Sequence, residues 1–249
     1  MDLYQQAAEL ILKSKHTTVF TGAGISVESG IPPFRGETGL WNQYDPIILD
    51  LDYYYQYPSE SWPAIKKLFY DFFGKAKPNL AHQIIAQWEK KKLVHTIITQ
   101  NIDHLHQNAG SEKVLEFHGT SQSFICAQCN KTYEVASIVL DNHPPICQNC
   151  TSLLKPNFIF FGEGINPSIY KESIYNTEIA ELYIIIGTTG EVMPASQIPL
   201  LAKQRGAQII EINIEASHFT AEITDIYLED KASIVLSILD KKINALLTK

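Results

Sequence analysis

The chain has 249 residues, 45% of them hydrophobic and 19% charged, a composition that excludes intrinsic disorder and is ample for a buried core. Twenty Lys and Arg against 27 Asp and Glu leave a net charge of −7, so there is no overall basic field to hold nucleic acid or an anionic membrane. The longest apolar runs, such as residues 182–186, fall far short of the ~20 residues of a membrane-spanning helix, and the first residues lack the basic and unbroken apolar stretches of a secretion signal, so a cytoplasmic location is expected.

Leu3, Ala7, Leu10 and Ile11 recur at helical spacing, and the β-branched and aromatic run from Thr17 to Thr21 predicts a strand that stops at Gly22. Residues 32–58, rich in Pro, Asp and Tyr, predict irregular chain that leads into short helices up to about Phe73. Leu80, Ile84, Ile85 and Trp88 predict a helix from Asn79, followed by a strand over Val94 to Thr99 that ends in the polar cluster Gln100-Asn101-Ile102-Asp103. Residues 121–155 carry strand-like patches at 123–125 and 132–135 but little apolar material, as in a small inserted module. The apolar runs Phe158 to Phe161, Leu182 to Ile186 and Gln208 to Ile214 predict parallel strands covered on both faces, with helices over 196–205 and 231–247.

All four cysteines lie in two pairs, Cys126-x-x-Cys129 and Cys147-x-x-Cys150, separated by 17 residues, the spacing of a four-thiolate zinc site. Four thiolates close the coordination shell, so the metal is expected to be structural, one per chain. Disulfides or redox motifs would require both pairs to be active independently. The segment from Cys126 to Cys150 holds one Lys, Lys131, and no Arg, too little basic charge for a nucleic-acid-binding zinc ribbon.

Gly22-Ala23-Gly24-Ile25-Ser26 follows the first predicted strand, where a doubly wound sheet offers backbone N–H groups to a pyrophosphate. Taken alone it is equally a structural turn, because Val27 occupies the third glycine position of the usual fingerprint. Gly187-Thr188-Thr189 and Asn213-Ile214-Glu215 end two further strands, so polar strand ends would share one crevice.

Taken together, the segments Gly22-Ala23-Gly24-Ile25-Ser26, Gly30-Ile31-Pro32-Pro33-Phe34-Arg35-Gly36, Thr99-Gln100-Asn101-Ile102-Asp103-His104, Glu116-Phe117-His118-Gly119, the cysteine quartet, Lys155-Pro156-Asn157, Phe160-Phe161-Gly162-Glu163, Gly187-Thr188-Thr189 and Asn213-Ile214-Glu215 resemble the sirtuins, NAD-dependent protein deacylases. The resemblance runs in order over almost the whole chain. It implies an α/β fold: a Rossmann-like, doubly wound parallel sheet formed by residues 1–32, 81–120 and 156–249, a cofactor loop and helical insertion at 33–80, and the zinc module at 121–155. It also implies that NAD lies across the sheet. Gly22, Ala23, Gly24, Ser26, Gly187, Thr188 and Thr189 would hold phosphates, Asn213 and Glu215 the adenosine ribose, and Gln100 the nicotinamide ribose. Asn101, counted with His118 as catalytic, would line the nicotinamide pocket with Asp103 and Ile102, while Phe34 and Arg35 would close over the cofactor. Phe161, Gly162, Glu163 and Gly190 would receive an acyl-lysine protein or peptide.

The implied reaction begins when the acyl-lysine amide oxygen displaces nicotinamide from C1′ of its ribose, a poor nucleophile that the site must hold in line. His118, an imidazole with an ordinary pKa near 6.5, would then take a ribose hydroxyl proton. The products would be nicotinamide, deacylated lysine and 2′-O-acyl-ADP-ribose. Two departures bear on acyl choice: Gly190 replaces a common leucine, and the best match to the Tyr-x-x-Arg pair of acid-selective members is Tyr70 with Phe73 in place of the arginine. Uncharged acyl groups, acetyl first, are therefore expected. The rival readings are a mono-ADP-ribosyltransferase or NAD glycohydrolase, which share the first displacement, and a non-enzymatic NAD-responsive zinc module. His104 and His106 are expected to be structural.

Overall fold

The computed structural model describes residues 2–34 and 39–248, with Phe72 and Phe73 described by their backbone alone. The described strands are β1 Thr17–Thr21, β2 Thr96–Thr99, β3 Val114–Glu116, β4 Gly119–Cys126, β5 Thr132–Glu134, β6 Leu154–Phe158, β7 Leu182–Ile186, β8 Gln208–Asn213 and β9 Ile226–Glu229. The α-helices are α1 Leu3–Lys13, α2 Leu51–Gln56, α3 Pro58–Ile65, α4 Leu80–Lys90, α5 Leu105–Asn108, α6 Pro167–Glu178, α7 Gln197–Gln204, α8 His218–Glu222 and α9 Ala232–Leu247. None of the described helices is long and apolar enough to cross a membrane.

Six strands form a parallel sheet in the order β3-β2-β1-β7-β8-β9. The chain winds one way from β1 to β3 and the other way from β7 to β9, so the order reverses between β1 and β7, where a doubly wound sheet opens its ligand crevice. Every residue of β1, β2 and β7 is buried, because helices cover both faces and no alternation survives. One face packs Ile11 of α1, Trp88 of α4 and Leu236 and Leu239 of α9 against Val19, Ile97 and Ile184. The other packs Phe20, Ile98, Tyr183 and Ile185 against Ile198 and Ala202 of α7.

The second sheet, β5-β4-β6, is antiparallel. Its Phe124, Leu154 and Phe158 share one core with Tyr54, Trp62, Ile65 and Phe69 of the helical insertion, and the Tyr54 hydroxyl donates to Leu154 O at 2.8 Å. Neither part carries enough apolar surface to fold alone, so each supplies the other's core.

Three features depart from the sequence expectation. The run Phe158 to Phe161 does not join the parallel sheet: the strand there is β6, ending at Phe158 and paired antiparallel with β4. Helix α6 carries no amphipathic signal because the face it buries is polar, with Ser173, Asn176 and Thr177. Its Asn176 Oδ1 accepts from Thr96 Oγ1 at 2.7 Å and Lys113 Nζ at 2.9 Å. Strands β3 and β9 have three and four residues and lie at the sheet edges, too short to show a period.

Under the crevice two histidines are buried without charge. His106 Nε2 lies 3.0 Å from Thr21 Oγ1, His82 Nδ1 lies 3.1 Å from Asn79 Oδ1, and the rings meet edge to face at 4.9 Å. Burial pushes His82 down to about 4 and His106 well below the usual imidazole value. The unfolded chain therefore takes up protons near pH 6.5 that the folded one refuses until well below. Stability from these groups is complete above pH 6.5 and is lost as pH falls toward 4. For His82 the loss between pH 7 and pH 5 is about 2 kcal/mol. Urea unfolding at the two pH values should show a decline of at least that size. An unchanged midpoint with unchanged slope would show that the buried rings are charged in the fold.

Candidate active site

The carboxyl ends of β1, β2, β7 and β8 meet at the switch point. Gly22 N–H donates to Ile186 O at 3.0 Å, Gly24 N–H to Gly187 O at 2.9 Å, and Gln100 N–H to Thr21 O at 2.9 Å. The glycines are demanded by this contact: a Cβ on Gly24 would stand 2.6 Å from Gly187 Cα, and Gly187, at φ +62°, would press a Cβ to 2.5 Å from Ile25 N. The 3-10 helix 23–29 that follows starts from Gly22 with no side-chain cap. Of its first N–H groups, Gly24 is taken by Gly187 O and Ile25 by Gly22 O at 3.3 Å.

A polar network lies beside the turn. Asn101 Nδ2 donates to Gly22 O and to Ser26 Oγ, both at 3.1 Å, and Ser26 Oγ donates to Asp103 Oδ2 at 2.6 Å. Burial raises the Asp103 carboxyl above the ordinary carboxylate range, while the Ser26 hydroxyl and the Leu105 N–H pull it down. Ala23, Ser26, Ile31, Phe34, Asn101, Ile102 and Asp103 line one cleft. Across the crevice, Gln100 Nε2 donates to Thr188 Oγ1 at 3.0 Å and Asn213 Nδ2 to Thr188 O at 3.1 Å. Thr189 and Glu215 are exposed at its rim. Arg35 lies outside the described residues.

His118 follows β3 and is half-buried. Its Nδ1 lies 3.0 Å from Gln100 O, and a carbonyl can only accept, so Nδ1 carries the proton and Nε2 keeps its lone pair. Burial lowers its pKa and the bond to Gln100 partly restores it, which keeps the ring neutral and able to accept a proton.

Phe160 to Glu163 form a turn closed by Glu163 N–H to Phe160 O at 3.0 Å. Gly162 at φ +85° occupies its third position, with nothing within 4 Å of where a Cβ would stand. Phe161 is 46% exposed, and its ring lies 6.1 Å from Trp41, which in turn lies 5.4 Å from Phe34. The Gly190 departure has a local cause: φ is +78° and a Cβ would stand 2.9 Å from the Phe219 ring. Tyr70 stacks on Phe124 at 5.3 Å with its hydroxyl buried and unpartnered, as part of the shared core.

The cysteine sulfurs lie within 4.8 Å of one another. Cys126 and Cys150 are separated by 3.4 Å and Cys129 and Cys147 by 3.7 Å. Thiolates on a tetrahedral zinc with ~2.3 Å bonds stand about 3.8 Å apart, so the quartet fits the ion, and none of the four is in a disulfide. The Tyr133 hydroxyl lies 3.1 Å from Cys147 Sγ.

Three supporting residues went unrecognised in the sequence. Asn79 caps α4 through Ala81 N–H at 2.9 Å and also donates to Ile25 O at 2.7 Å, tying that helix to the glycine turn. Glu211, fully buried in β8, accepts from the hydroxyls of Ser217, Thr220 and Thr224 and so anchors the chain just beyond Asn213. Its one visible signal is an acid inside the apolar run Ile209-Ile210-Glu211-Ile212. Lys155 is the third and is taken up below.

Residues 22–194 match the model of the Sir2 family. An NAD-dependent protein deacetylase of Thermotoga maritima is 38% identical over 214 residues, which is 85% of this chain and 87% of that protein. An NAD-dependent protein deacylase 2 of Archaeoglobus fulgidus is 40% identical over 240 residues, 94% of each chain. A solved complex of Sir2 with a p53 peptide and NAD+ superimposes with a TM-score of 0.87 at 33% identity, over the full length of both chains. With this fold, this cleft and these matches, the chain belongs to the Sir2 family.

Proposed function

We propose that this protein is an NAD-dependent protein-lysine deacylase that acts on acetyl-lysine in preference to acidic acyl groups and holds one structural zinc. The observation that carries the reading is the tautomer of His118, set by the Gln100 carbonyl just beyond β2, which leaves Nε2 with its lone pair. When bound, NAD supplies an electrophilic ribose carbon and the hydroxyls that receive the acyl group.

Gln100 does two things: its carbonyl orients His118, and its side chain holds Thr188. Asn101, Ser26 and Asp103 form the polar wall of the nicotinamide pocket, with Ile102 beside them. Gly22, Ala23, Gly24, Gly187, Thr188 and Thr189 take the phosphates, Asn213 and Glu215 the adenosine ribose. Phe34 and Arg35 close the near side against water. Phe161, Gly162, Glu163 and Gly190 receive the peptide, and His118 Nε2 takes the hydroxyl proton. The NAD-binding part comprises 1–32, 81–120 and 156–249, with 33–80 and 121–155 forming the second body; the two cores on the parallel sheet fall within the first part, while the third joins the second body to Ile31, Ile102, Phe158 and Phe160. Four unpaired cysteines suit a reducing compartment, in keeping with a cytoplasmic location.

The test is incubation with NAD and acetyl-, butyryl-, myristoyl- and succinyl-lysine peptides, with mass detection of every product. O-acyl-ADP-ribose appears only with deacylation. ADP-ribosylated protein or free ADP-ribose in its place would assign the transferase or glycohydrolase reaction. Phe73 stands where acid-selective relatives carry an arginine, so a succinyl carboxylate would be desolvated without that partner. Acetyl peptides are expected to exceed succinyl peptides in kcat/KM by at least about tenfold, ~1.4 kcal/mol. A succinyl preference would reveal a basic group at the acyl end.

A further inference from the structure

Lys155 is a charged side chain where none is expected. It sits in β6, 3% exposed, and its ammonium uses its three N–H bonds on Pro156 O at 2.8 Å, Phe158 O at 2.7 Å and Glu163 Oε2 at 2.9 Å. It also lies 4.5 Å from the centre of the Phe160 ring. The same Glu163 oxygen accepts Phe160 N–H at 2.9 Å. The carboxylate therefore closes the Phe160–Glu163 turn from inside while the ammonium holds it to the small sheet. From the other side, Phe161 N–H donates to Leu49 O at 2.8 Å and Leu51 N–H to Phe161 O at 3.1 Å. The turn is thus fixed to both halves of the second body, and its outer edge at Gly162 stays open.

A buried ammonium is costly, and an apolar residue of similar size would fill the site without that cost. Burial draws the Lys155 pKa below its ordinary value and Glu163 pushes it back up, so the charge depends on this one carboxylate. What the pair adds is direction. Two carbonyls and a carboxylate around one ammonium set the turn relative to β6 in a way that apolar packing does not specify.

We propose that Lys155 is a positioning residue of the substrate side: acting through Glu163, it sets the pose of the Phe161-Gly162 edge on which the acyl-lysine peptide is laid. The proposal rests on the reading of that turn as the peptide-binding edge. Lys155 touches neither NAD nor the reacting atoms, so its loss should be felt in the capture of peptide and not of NAD.

The test is steady-state kinetics of Lys155→Met, Glu163→Gln and the double variant with an acetyl-lysine peptide and NAD, alongside the amide resonance of Gly162 in the parent as peptide is added. Each single variant is expected to raise KM for the peptide at least tenfold while KM for NAD stays within twofold. The double variant should be no more than about twofold worse than the poorer single one, since the two residues act as a unit. Lys155→Gln, which leaves Glu163 in place and removes the ammonium charge of the pair, decides the matter if Lys155→Met does not fold. A peptide KM within twofold of the parent, or both KM values rising together, would overturn the positioning role. A Gly162 resonance unmoved by saturating peptide would overturn the reading of the edge itself, whatever the variants do.

Discussion

Replacing His118 by alanine is expected to lower the rate of deacylation by about a thousandfold, within the ~10²–10⁴ range of a positioned general base, while leaving NAD affinity within about threefold. The asymmetry follows from geometry. His118 is anchored through Nδ1 to the main-chain carbonyl of Gln100, while the contacts assigned to NAD are spread over the ends of β1, β2, β7 and β8 and are left in place by the substitution. In the proposed mechanism the imidazole works on a proton and does not hold the cofactor. Nicotinamide exchange, which precedes the proton transfer, should survive in part. Single-turnover assays of product formation alongside NAD titration separate the two effects. Near-parental turnover would show that the base is another group. Glutamine at position 118 offers no lone pair of comparable basicity and should match alanine, which distinguishes lost basicity from lost packing.

Removing the zinc, by a strong chelator or by Cys147→Ser, is expected to abolish peptide turnover by unfolding the small sheet while the parallel sheet persists. Cys126 and Cys147 are buried in the core that also contains Phe124, Tyr133, Leu154 and Trp62. Strand β5 has only three residues, and structural zinc in small modules contributes an apparent ~10–16 kcal/mol. Without the ion, four thiols at 3.4–4.8 Å have nothing to hold them together. The cores on the two faces of the parallel sheet contain no cysteine, so they have no reason to follow. Metal analysis should find one zinc per chain. Amide exchange after chelation should show β4 and β6 unprotected and β1 and β7 protected. Metal-free protein with a fully protected small sheet would refute the structural role.

The places where reading the sequence succeeded and failed have physical causes. β1, β7 and β8 are legible because strands covered on both faces are apolar throughout, and α1, α4 and α9 because each presents an apolar stripe to the sheet. The short edge strands β3 and β9 lack room for a pattern. Helix α6 hides because it turns Ser173, Asn176 and Thr177 inward, where Thr96 and Lys113 meet Asn176 and the Tyr183 hydroxyl meets Thr177. The Phe158 to Phe161 run misleads because an apolar segment looks alike whether it fills a parallel sheet or the core under a turn.

By itself the sequence determined the cysteine quartet and the glycine turn and singled out His118 as the candidate base, because each is encoded in contiguous residues at a fixed spacing: the ion needs four sulfurs, the turn needs chain without side chains, and the motif carries the histidine. Only the tertiary structure decided which ring nitrogen of His118 is free, since the answer belongs to the Gln100 carbonyl 18 residues away. It alone placed the Lys155 ammonium under the Phe160–Glu163 turn, buried the Glu211 carboxylate among three hydroxyls, and merged the helical insertion with the zinc module in one core. Charge burial and hydrogen-bond saturation depend on what lies within 3 Å in space, and residues that meet at that distance here stand up to 205 positions apart along the chain.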